Sequence, residues 1–526
     1  MKWTRRDVLK GLGGIPILGA VWWAGASNTV SKNRERSAIL EQLKIDPSLP
    51  SAVKAISGNP IRIGIIGFGI RGEQLCRALG YATEEWKEAM RIAHEEDPKN
   101  NQLQDFLDQE KLNVDLVAVC DIFDVRAEQA RKLNPYKPLK RFRTHEEMIR
   151  SGEVDAVIIA TPDHWHAPMA IDALENGVHA YVEKPMTHTI EETYRLREAA
   201  RKSKALLMVG HQHRQTLSFQ TAQDIIEKGI LGHVSLIQTN TNRNDDNGAW
   251  NYDIHEQANE NTIDWEMFLG SAPKIPFNKN HFFRWRKWWA YGSGLSGDLL
   301  THDYDRLNCV LNMGIPNSVM ASGGIYTHND GRNVPDVLQV NMEFSDYSTG
   351  SSQVKGKEKG MTFVYSATLG NGFSRPTILM GHDATMELGN RLTIWPESGS
   401  TKYAEMIEAE KMNPRVPIYQ YDPAASAPDA VSSATSQYFA DKGLMWTYID
   451  GKRVDSTFLH LREWLSATRN GGKLSCGIDE GFDEAISAHM AGLSYKLGRR
   501  IDWDPVSEQL VPIDGIDFDE VLLRST

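Results

Sequence analysis

The chain has 526 residues, of which 41% are hydrophobic and 24% charged, ordinary values for globular domains; the length predicts two or three such domains. A formal net charge of −11 at pH 7 leaves no overall basic footprint, so we expect no nucleic-acid partner. The four cysteines have neither CxxC nor zinc spacing, so no disulfide framework is implied.

The first 26 residues read as an export signal. Arg5 and Arg6 lie in TRRDVLK, a close match to a twin-arginine signal, and the apolar run 11–24 leads into the small-residue cleavage pattern AGA. The run is shorter than the roughly 20 apolar residues that span a bilayer. The sequence therefore predicts recognition by the twin-arginine export machinery and a periplasmic mature protein without a stable membrane span. An uncleaved signal is the alternative, and it would tether the protein to the membrane.

A polar arm is predicted over residues 27–60, and a dinucleotide-binding unit begins after it. Ile61–Ile66 has the pattern of a buried strand, and it runs into GFGIRG, which opens a helix. In such a unit the first glycine allows a tight turn, the second lets the backbone approach a pyrophosphate, and the third lets helix and strand pack. The phosphates would lie on the helix N-terminus. The residues expected around them are Gly67, Gly69, Ile70, Arg71 and Gly72.

A second strand, Val114–Cys120, ends at Asp121, which is placed to bind the ribose hydroxyls of a nucleotide. A carboxylate there repels a 2′-phosphate and favours NAD, but Arg126 nearby leaves NADP open. The alternative is that Asp121 caps the next helix. The charged stretch 81–113 before this strand is predicted to be an exposed helical insertion.

Further strands are predicted at residues 154–162, 178–185 and 204–214, with helices between them. This alternation predicts a parallel, doubly wound Rossmann sheet over about residues 61–183. Ligands of such sheets bind at the carboxyl ends of the strands. The polar residues expected at that edge, and thus near the cofactor, are Thr161, Asp163, His166, Glu183 and Lys184.

At TPDHWH and EKP the sequence resembles the Gfo/Idh/MocA family of sugar-type oxidoreductases. The resemblance covers about residues 61–395 and 455–505, and it continues through VGHQHR, WWAYGSGLSGDLLTHDYD and YKLGRRIDWDP. It implies an α/β protein in which a Rossmann domain precedes a C-terminal α/β domain with an open, mostly antiparallel sheet, here over residues 184–526. Alternating strand patterns after residue 214 favour the same antiparallel sheet. A long loop is predicted at about 400–450.

The resemblance also implies a catalytic set made of Lys184, Asp298 and His302. Asp298 and His302 are four residues apart in GDLLTHDYD, so they share one face if that stretch is helical. By resemblance, Lys184 polarises the substrate hydroxyl, His302 takes its proton, and Asp298 binds substrate or holds the imidazole. The local stretch alone also fits a helix-capping aspartate with a structural histidine.

Secondary candidates for substrate contact are His211, Arg214 and Trp289, although aromatic clusters such as WRKWW more often pack in a core. The histidines have no tight metal-ligand spacing, so no metal is predicted. Family members often form homo-oligomers through the open sheet, and the resemblance extends that expectation to this chain.

Three functions follow from these features. An exported enzyme meets no pool of free NAD, so we expect a tightly held nucleotide. The first hypothesis is an NAD(P)-dependent oxidoreductase that acts on a hydroxyl group of a sugar, sugar derivative or cyclitol. The second is an NAD-dependent glycoside hydrolase of redox type, and the third is a non-catalytic, nucleotide-bound binding protein.

Overall fold

The computed structural model describes residues 58–134, 137–345, 347, 360–388, 392–421, 435–439, 444–449 and 452–524. The predicted twin-arginine signal and nearly all of the polar arm lie outside these residues. Within the described ranges, no helix combines the length and apolar character needed to cross a membrane. Two large sheets and one small sheet make up the β-structure found there.

Six parallel strands form the N-terminal sheet, in the order β3-β2-β1-β4-β5-β6. The strands are β1 (Ile61–Ile66), β2 (Val114–Cys120), β3 (Lys140–Phe142), β4 (Ala156–Ile159), β5 (His179–Val182) and β6 (Leu207–Val209). Every residue of β4 is buried, as expected for a parallel strand with helices on both faces of its sheet. The predicted Rossmann sheet is confirmed, but its predicted end near residue 183 is too early because β6 follows it.

Helices connect these strands and cover both faces of the sheet. They are α1 (Ile70–Ala78), α2 (Glu84–Glu96), α3 (Gln102–Asp108), α4 (Asp124–Arg131), α5 (His145–Arg150), α6 (His166–Glu175) and α7 (Ile190–Lys202). The stretch 81–113 contains α2 and α3, and neither helix has a buried residue. The side chain of Thr83 accepts a hydrogen bond from Trp86 N and so caps α2.

The C-terminal domain is built on a ten-stranded mixed sheet, in the order β14-β13-β12-β11-β7-β10-β9-β8-β18-β19. Its strands are β7 (Val234–Asn242), β8 (Ser318–Gly324), β9 (Val337–Phe344), β10 (Met361–Thr368), β11 (Thr377–Gly381), β12 (Ala384–Leu388), β13 (Leu392–Pro396), β14 (Tyr419–Tyr421), β18 (Ile501–Asp504) and β19 (Gln509–Leu510). Buried and half-buried residues alternate along β10, so one face of this sheet packs on the core. Strands β7 and β10 pair in parallel, whereas the other pairings described in this sheet are antiparallel, which confirms the predicted class.

The remaining helices pack around this sheet and at the boundary of the two domains. They are α8 (Leu217–Glu227), α9 (Trp265–Leu269), α10 (Lys279–Phe283), α11 (Thr301–Leu311), α12 (Ala404–Glu408), α13 (Ser456–Asn470), α14 (Ile478–Leu497) and α15 (Phe518–Leu523). Helix α13 returns to the N-terminal domain, where Trp464 and Leu465 are buried in the same cluster as Ile63 and Leu75. The two domains therefore share a core.

The predicted long loop at 400–450 is wrong for the parts that the structure describes. Helix α12 and strand β14 lie in its first half, and β15 (Thr435–Phe439) and β16 (Leu444–Ile449) form a small antiparallel sheet with β17 (Lys452–Asp455). The run of small residues in YDPAASAPDAVSSATS hid the strand pattern of LMWTYI that follows it. Residues 422–434 lie outside the described ranges.

Candidate active site

A cavity of about 2020 Å³ lies between the two domains, at the carboxyl ends of the parallel strands. It runs from the glycine turn after β1 to the start of α11. Of the predicted cofactor and catalytic residues, those that line this cavity are Gly67, Gly69, Ile70, Arg71, Asp121, Thr161, Asp163, His166, Glu183, Lys184, Asp298 and His302. Residues far apart in the sequence thus line one cavity.

The glycine turn has the shape needed to hold a phosphate group. Gly67 has φ +85°, and a Cβ on it would lie 2.7 Å from the carbonyl oxygen of Ala160. Gly72 is not on the cavity wall, but a Cβ there would lie 2.1 Å from the carbonyl oxygen of Gly67, so this glycine permits the packing of α1 against the turn. Gly69 caps α1 without a side-chain hydrogen bond, which leaves backbone N–H groups of the first turn available at a helix end that lines the cavity. These residues fit a pyrophosphate.

Asp121 joins the glycine turn to the end of β2. Its carboxylate accepts hydrogen bonds from the backbone N of Phe68 at 2.7 Å and of Phe123 at 2.8 Å. Burial raises the pKa of Asp121, although Arg126 acts in the opposite direction. Each carboxylate oxygen has a second acceptor position. Asp121 can therefore hold the turn and also bind a ribose hydroxyl.

A strap from the C-terminal domain, residues 262–283, covers the cavity beside Asp121. The backbone N of Asp124 donates to Thr262 O, and the backbone N of Asp264 donates to Ile122 O, both at 2.9 Å. The ring of Phe123 lies edge-to-face on Phe282 and Phe283, with ring centroids 6.1 and 5.8 Å away. Phe282 and Phe283 also line the cavity. A nucleotide bound there would be enclosed by both domains.

Two polar residues after β4 fix the loops around the cavity. The Nδ1 atom of His166 lies 2.7 Å from Pro185 O, and its Nε2 atom lies 2.8 Å from Thr161 O. Asp163 accepts hydrogen bonds from the backbone N and hydroxyl of Ser293, at 2.9 and 3.1 Å. Burial raises the pKa of Asp163. These contacts connect the ends of two parallel strands to the segment that leads into α11.

Glu183 and Arg71 form an ion pair beside the glycine turn. The Nε atom of Arg71 donates to Glu183 Oε1 at 2.7 Å, and the carboxylate is almost fully shielded from solvent. Glu183 thus orients Arg71 at the start of α1. Because Glu183 is paired with Arg71, the next residue, Lys184, is free to bond to Asp298 of the C-terminal domain.

Asp298 is the point where the charged side chains of the site converge. Its carboxylate accepts hydrogen bonds from Lys184 Nζ at 3.0 Å, Arg286 Nε at 3.1 Å and Trp250 Nε1 at 3.0 Å. Burial acts to raise the pKa of Asp298, but the charges of Lys184 and Arg286 outweigh it and hold the pKa well below its usual range. Asp298 is therefore a fixed anion and is unsuited to accept a proton.

The helix that carries Asp298 begins with a wider turn than predicted. Ser296–Leu300 forms a π-helical turn, and the α-helix α11 follows at once. Single π-helical turns often occur at functional sites. This turn sets Asp298 against Lys184, while His302, at the start of the regular helix, lines the same cavity.

His302 has the properties of a neutral proton acceptor. Its pKa is lowered well below the ordinary value, first by burial, then by the charge of Lys184, and less by the other basic side chains nearby. Its Nδ1 atom is buried and has no hydrogen-bond partner among the residues that the structure describes. An unprotonated imidazole on a cavity wall can take a proton from a bound hydroxyl.

None of the three predicted substrate contacts, His211, Arg214 and Trp289, lines the cavity. His211 and Arg214 are buried behind His302, where Arg214 bonds to Asp305 at 2.7 Å. Trp289 is also buried, and Lys496 Nζ lies 3.9 Å from the centroid of its ring. A 3₁₀ turn, Gln212–Gln215, exposes Gln212 to the cavity and turns its neighbours inward.

The structure adds site residues that the sequence did not single out. Arg286 stacks on Trp285 at 4.2 Å from the ring centroid, and Trp250 is fully buried with φ +64°. A bulky residue in that left-handed region is rare and is typical of strained functional sites. Arg286 lies among the aromatic residues of WRKWW, and no pattern in WRKWW or NDDNGAW indicated Arg286 or Trp250. The other polar lining residues near Asp298 are Asn242, Arg243, Asn244, Asn247 and Tyr252.

Comparison with known families gives two matches that together cover most of the described chain. Residues 61–211 match the profile of GFO_IDH_MocA, described as "Oxidoreductase family, NAD-binding Rossmann fold". Residues 267–502 match GFO_IDH_MocA_C, described as "Oxidoreductase family, C-terminal alpha/beta domain". The cavity described above lies between the two matched regions.

Curated relatives are similar over less than half of this chain. A Glycosyl hydrolase family 109 protein 1 of Shewanella sp. (strain ANA-3) is 26% identical over 227 residues, 41% of this chain and 42% of that protein. A levoglucosan dehydrogenase of Pseudarthrobacter phenanthrenivorans is 27% identical over 271 residues, 47% of this chain and 61% of that protein. The matched part therefore spans less than two thirds of either relative.

Among solved structures, a levoglucosan dehydrogenase in complex with NADH and levoglucosan has the same fold. The TM-score is 0.54, and the superposition covers 84% of this chain and 99% of the other. Sequence identity is 18%, so this likeness concerns the fold alone.

Proposed function

The chain belongs to the GFO_IDH_MocA oxidoreductase family, and from that premise we propose that it oxidises a hydroxyl group of a sugar, sugar derivative or cyclitol with a firmly held NAD. The observation that carries the proposal is the bond between Lys184 and Asp298, which places an ammonium group beside His302 in the cavity that begins at the glycine turn. This arrangement provides a phosphate site, a hydroxyl-polarising cation and a proton acceptor in one cavity.

The residues around the glycine turn fit an NAD molecule. The N-terminus of α1, with Gly67 and Gly69, would hold its pyrophosphate, and Asp121 would hold a ribose hydroxyl. A carboxylate at that position favours NAD over NADP. Bound NAD supplies the hydride acceptor for the reaction. The strap and its Phe282 and Phe283 would retain the nucleotide between turnovers.

The charges near Asp298 prepare a substrate hydroxyl for loss of its proton. Lys184 uses two of its three N–H groups on Asp298, one on the carboxylate and one on the backbone carbonyl, so one remains for a substrate oxygen. Three cations, Lys184, Arg286 and Arg243, act on Asp298, against the two carboxylates of Asp298 and Asp163. The excess positive charge stabilises a developing alkoxide in a site shielded from water. His302 receives the proton.

The test begins with the purified protein. We expect denaturation to release NAD, and we expect levoglucosan or another sugar of a panel to increase the reduced-nicotinamide absorbance of the intact protein. The Lys184→Met variant should keep the nucleotide but lose this response. A protein that contains no nucleotide and reduces none when NAD and the sugars are supplied would overturn the proposal.

A redox-type glycoside hydrolase is the second candidate, because the curated relatives include glycosyl hydrolase family 109 proteins. Lys184, Asp298 and His302 would then support an oxidation of the sugar that is reversed within the same turnover. Cleavage of 4-nitrophenyl glycosides without added NAD would favour this candidate, whereas accumulation of a keto-sugar would favour net oxidation. A non-catalytic binding protein would be indicated if His302→Ala left sugar affinity and biological activity intact.

Export is part of the proposal. Two features support export: the TRRDVLK motif, and the enclosed nucleotide site, since an enzyme that retains its nucleotide suits a compartment without free NAD. Replacement of Arg5 and Arg6 by lysine should keep the protein in the cytoplasm, as measured by cell fractionation. Self-association through the open face of the C-terminal sheet is proposed from the family resemblance, and the mass in solution tests it.

A further inference from the structure

A cluster of buried charges lies beside His302 and outside the cavity lining. His211, which follows β6, is 1% exposed. Its Nε2 atom lies 3.2 Å from Glu484 Oε2 on α14, and its Nδ1 atom lies 3.6 Å from Asp305 Oδ2 on α11. The reaction derived above uses neither carboxylate, so the cluster needs a separate explanation.

The charges in this cluster balance when His211 is an imidazolium. Asp305 is paired with Arg214 at 2.7 Å, so two carboxylates and one guanidinium leave one negative charge. A buried charge without a partner is costly. An imidazolium can donate from Nε2 to Glu484, lies within ion-pair distance of Asp305, and cancels the charge. Burial acts to lower the pKa of His211, but Asp305 and Glu484 raise it above its ordinary value.

The ring of His211 is in direct contact with the proton acceptor. It meets His302 edge-to-face, with ring centroids 6.0 Å apart and an angle of 84°. His213 lies 5.1 Å from His302, and burial lowers the pKa of His213 well below its ordinary value. His213 is therefore a neutral neighbour, and His211 is the charged one.

Other charges also face His302, and each has a counter-ion. These groups are Lys184 at the end of β5, paired with Asp298, and Arg306 on α11, paired with Asp303. Asp303 is in turn bonded to Thr239 and Thr241 of β7, and Glu484 of α14 acts on His302 through His211. Of the charged groups that face His302, His211 is the one whose ring contacts the ring of His302.

We propose that His211 is a positioning residue: held as a cation by Asp305 and Glu484, it packs against His302 and keeps that imidazole unprotonated and ready to accept the substrate proton. The inference rests on the role proposed above for His302. A positive charge beside the ring opposes a second positive charge on it, and the low dielectric of a buried site strengthens the effect. His302 would thereby remain a base at pH values at which an ordinary histidine is protonated.

The test is a pH titration of the histidine rings by NMR, with the histidine-labelled holoenzyme. The signals of His302 and His211 are identified by their loss in the His302→Gln and His211→Gln variants. In the natural protein we expect His211 to remain an imidazolium at neutral pH and His302 to remain neutral. In His211→Gln, the titration midpoint of His302 should rise by about one pH unit, a roughly tenfold gain in proton affinity.

A second variant keeps the inference testable if His211→Gln does not fold. Glu484→Gln removes one counter-ion, so His211 should lose its proton at a lower pH than in the natural protein. His489→Gln serves as the matched control, because His489 is buried on the same α14 and bonds to Thr187 rather than to a carboxylate. This control should leave the signals of His302 and His211 unchanged.

The inference would be overturned by a neutral His211 at pH 7, or by a His302 midpoint that does not move when His211 is replaced. The titration needs no substrate, so it can fail or succeed independently of the proposed function. If levoglucosan reduces the bound nucleotide, the acid limb of kcat/KM should shift upward in His211→Gln together with the NMR midpoint. A merely structural role would lower activity equally at all pH values.

Discussion

The ammonium group of Lys184 bonds twice to Asp298, at 2.7 Å to its backbone carbonyl and at 3.0 Å to its carboxylate. Lys184 follows β5 of the Rossmann domain by two residues, and Asp298 lies in the turn that opens α11 of the C-terminal domain. Both side chains are at most 12% exposed. One residue pair thus joins the two domains across the cavity and defines its reactive end.

Removing the Lys184 ammonium group should greatly reduce sugar oxidation but leave nucleotide binding intact. We expect Lys184→Met to lower kcat/KM for sugar oxidation by about 100-fold or more, because a hydrogen-bond donor aimed at a developing negative charge typically contributes that much. The bound nucleotide, counted after denaturation, should be retained. Lys202→Met is the control, since Lys202 is exposed and pairs with Glu198 on the surface. Equal losses in both variants would contradict the assignment.

The indole N–H of Trp250 should matter more than that of another buried tryptophan. Trp250→Phe removes the 3.0 Å hydrogen bond to Asp298, and we expect kcat to fall about 10-fold, as for a lost bond to a charged group. Trp289→Phe is the matched control, because the buried Nε1 of Trp289 has no partner among the described residues. Steady-state kinetics of both variants provide the measurement. An unchanged kcat in Trp250→Phe would show that Asp298 does not need this bond.

A methyl group on Gly72 should disrupt the glycine turn. Its Cβ would lie 2.1 Å from Gly67 O, so α1 must move away from β1. We expect Gly72→Ala to lower the melting temperature by several degrees and to abolish nucleotide retention. Gly399→Ala, at an exposed position with open space around the added Cβ, should change neither quantity. Normal nucleotide content in Gly72→Ala would argue against the proposed pyrophosphate site.

The strap should control how fast the nucleotide leaves. Phe283→Ala shortens a side chain that both lines the cavity and packs on Phe123, so we expect faster exchange of bound NAD for labelled NAD. Phe373→Ala is the control, because Phe373 is large and exposed. An exchange rate in Phe283→Ala equal to that of the natural protein would assign nucleotide retention to other contacts.

Buried histidines should make the protein less stable in acid. Burial lowers the pKa of His188 to about 3, and of His164 and His489 to about 4. Below the unfolded value of about 6.5, the unfolded chain binds protons that the folded chain does not, so stability falls as pH decreases from there toward 4. Melting temperatures measured across this pH range test whether stability falls as the pH decreases. His188→Gln should make the decline shallower, and an unchanged or steeper decline would contradict this account.

The sequence predicted the Rossmann half well because its signals are local. A buried strand, three spaced glycines and a helix occupy one short stretch, and the close contacts at Gly67 and Gly72 leave no room for a side chain. Alternating apolar and polar residues likewise predicted the antiparallel strands of the second domain. The helix α13 returns to the first domain through a contact between distant segments, and no local pattern in the sequence reports such a contact.

The residue types of the site, Lys184, Asp298 and His302, were determined by the sequence together with its family resemblance. Only the tertiary structure decided which of them is the cation, the fixed anion and the proton acceptor, because burial and counter-ions set the charge of each group. Three donors make Asp298 a fixed anion, and a 3₁₀ turn buries His211 between two carboxylates and away from the cavity. Hydrogen bonds and charges act through space, over distances that residue order along the chain does not encode.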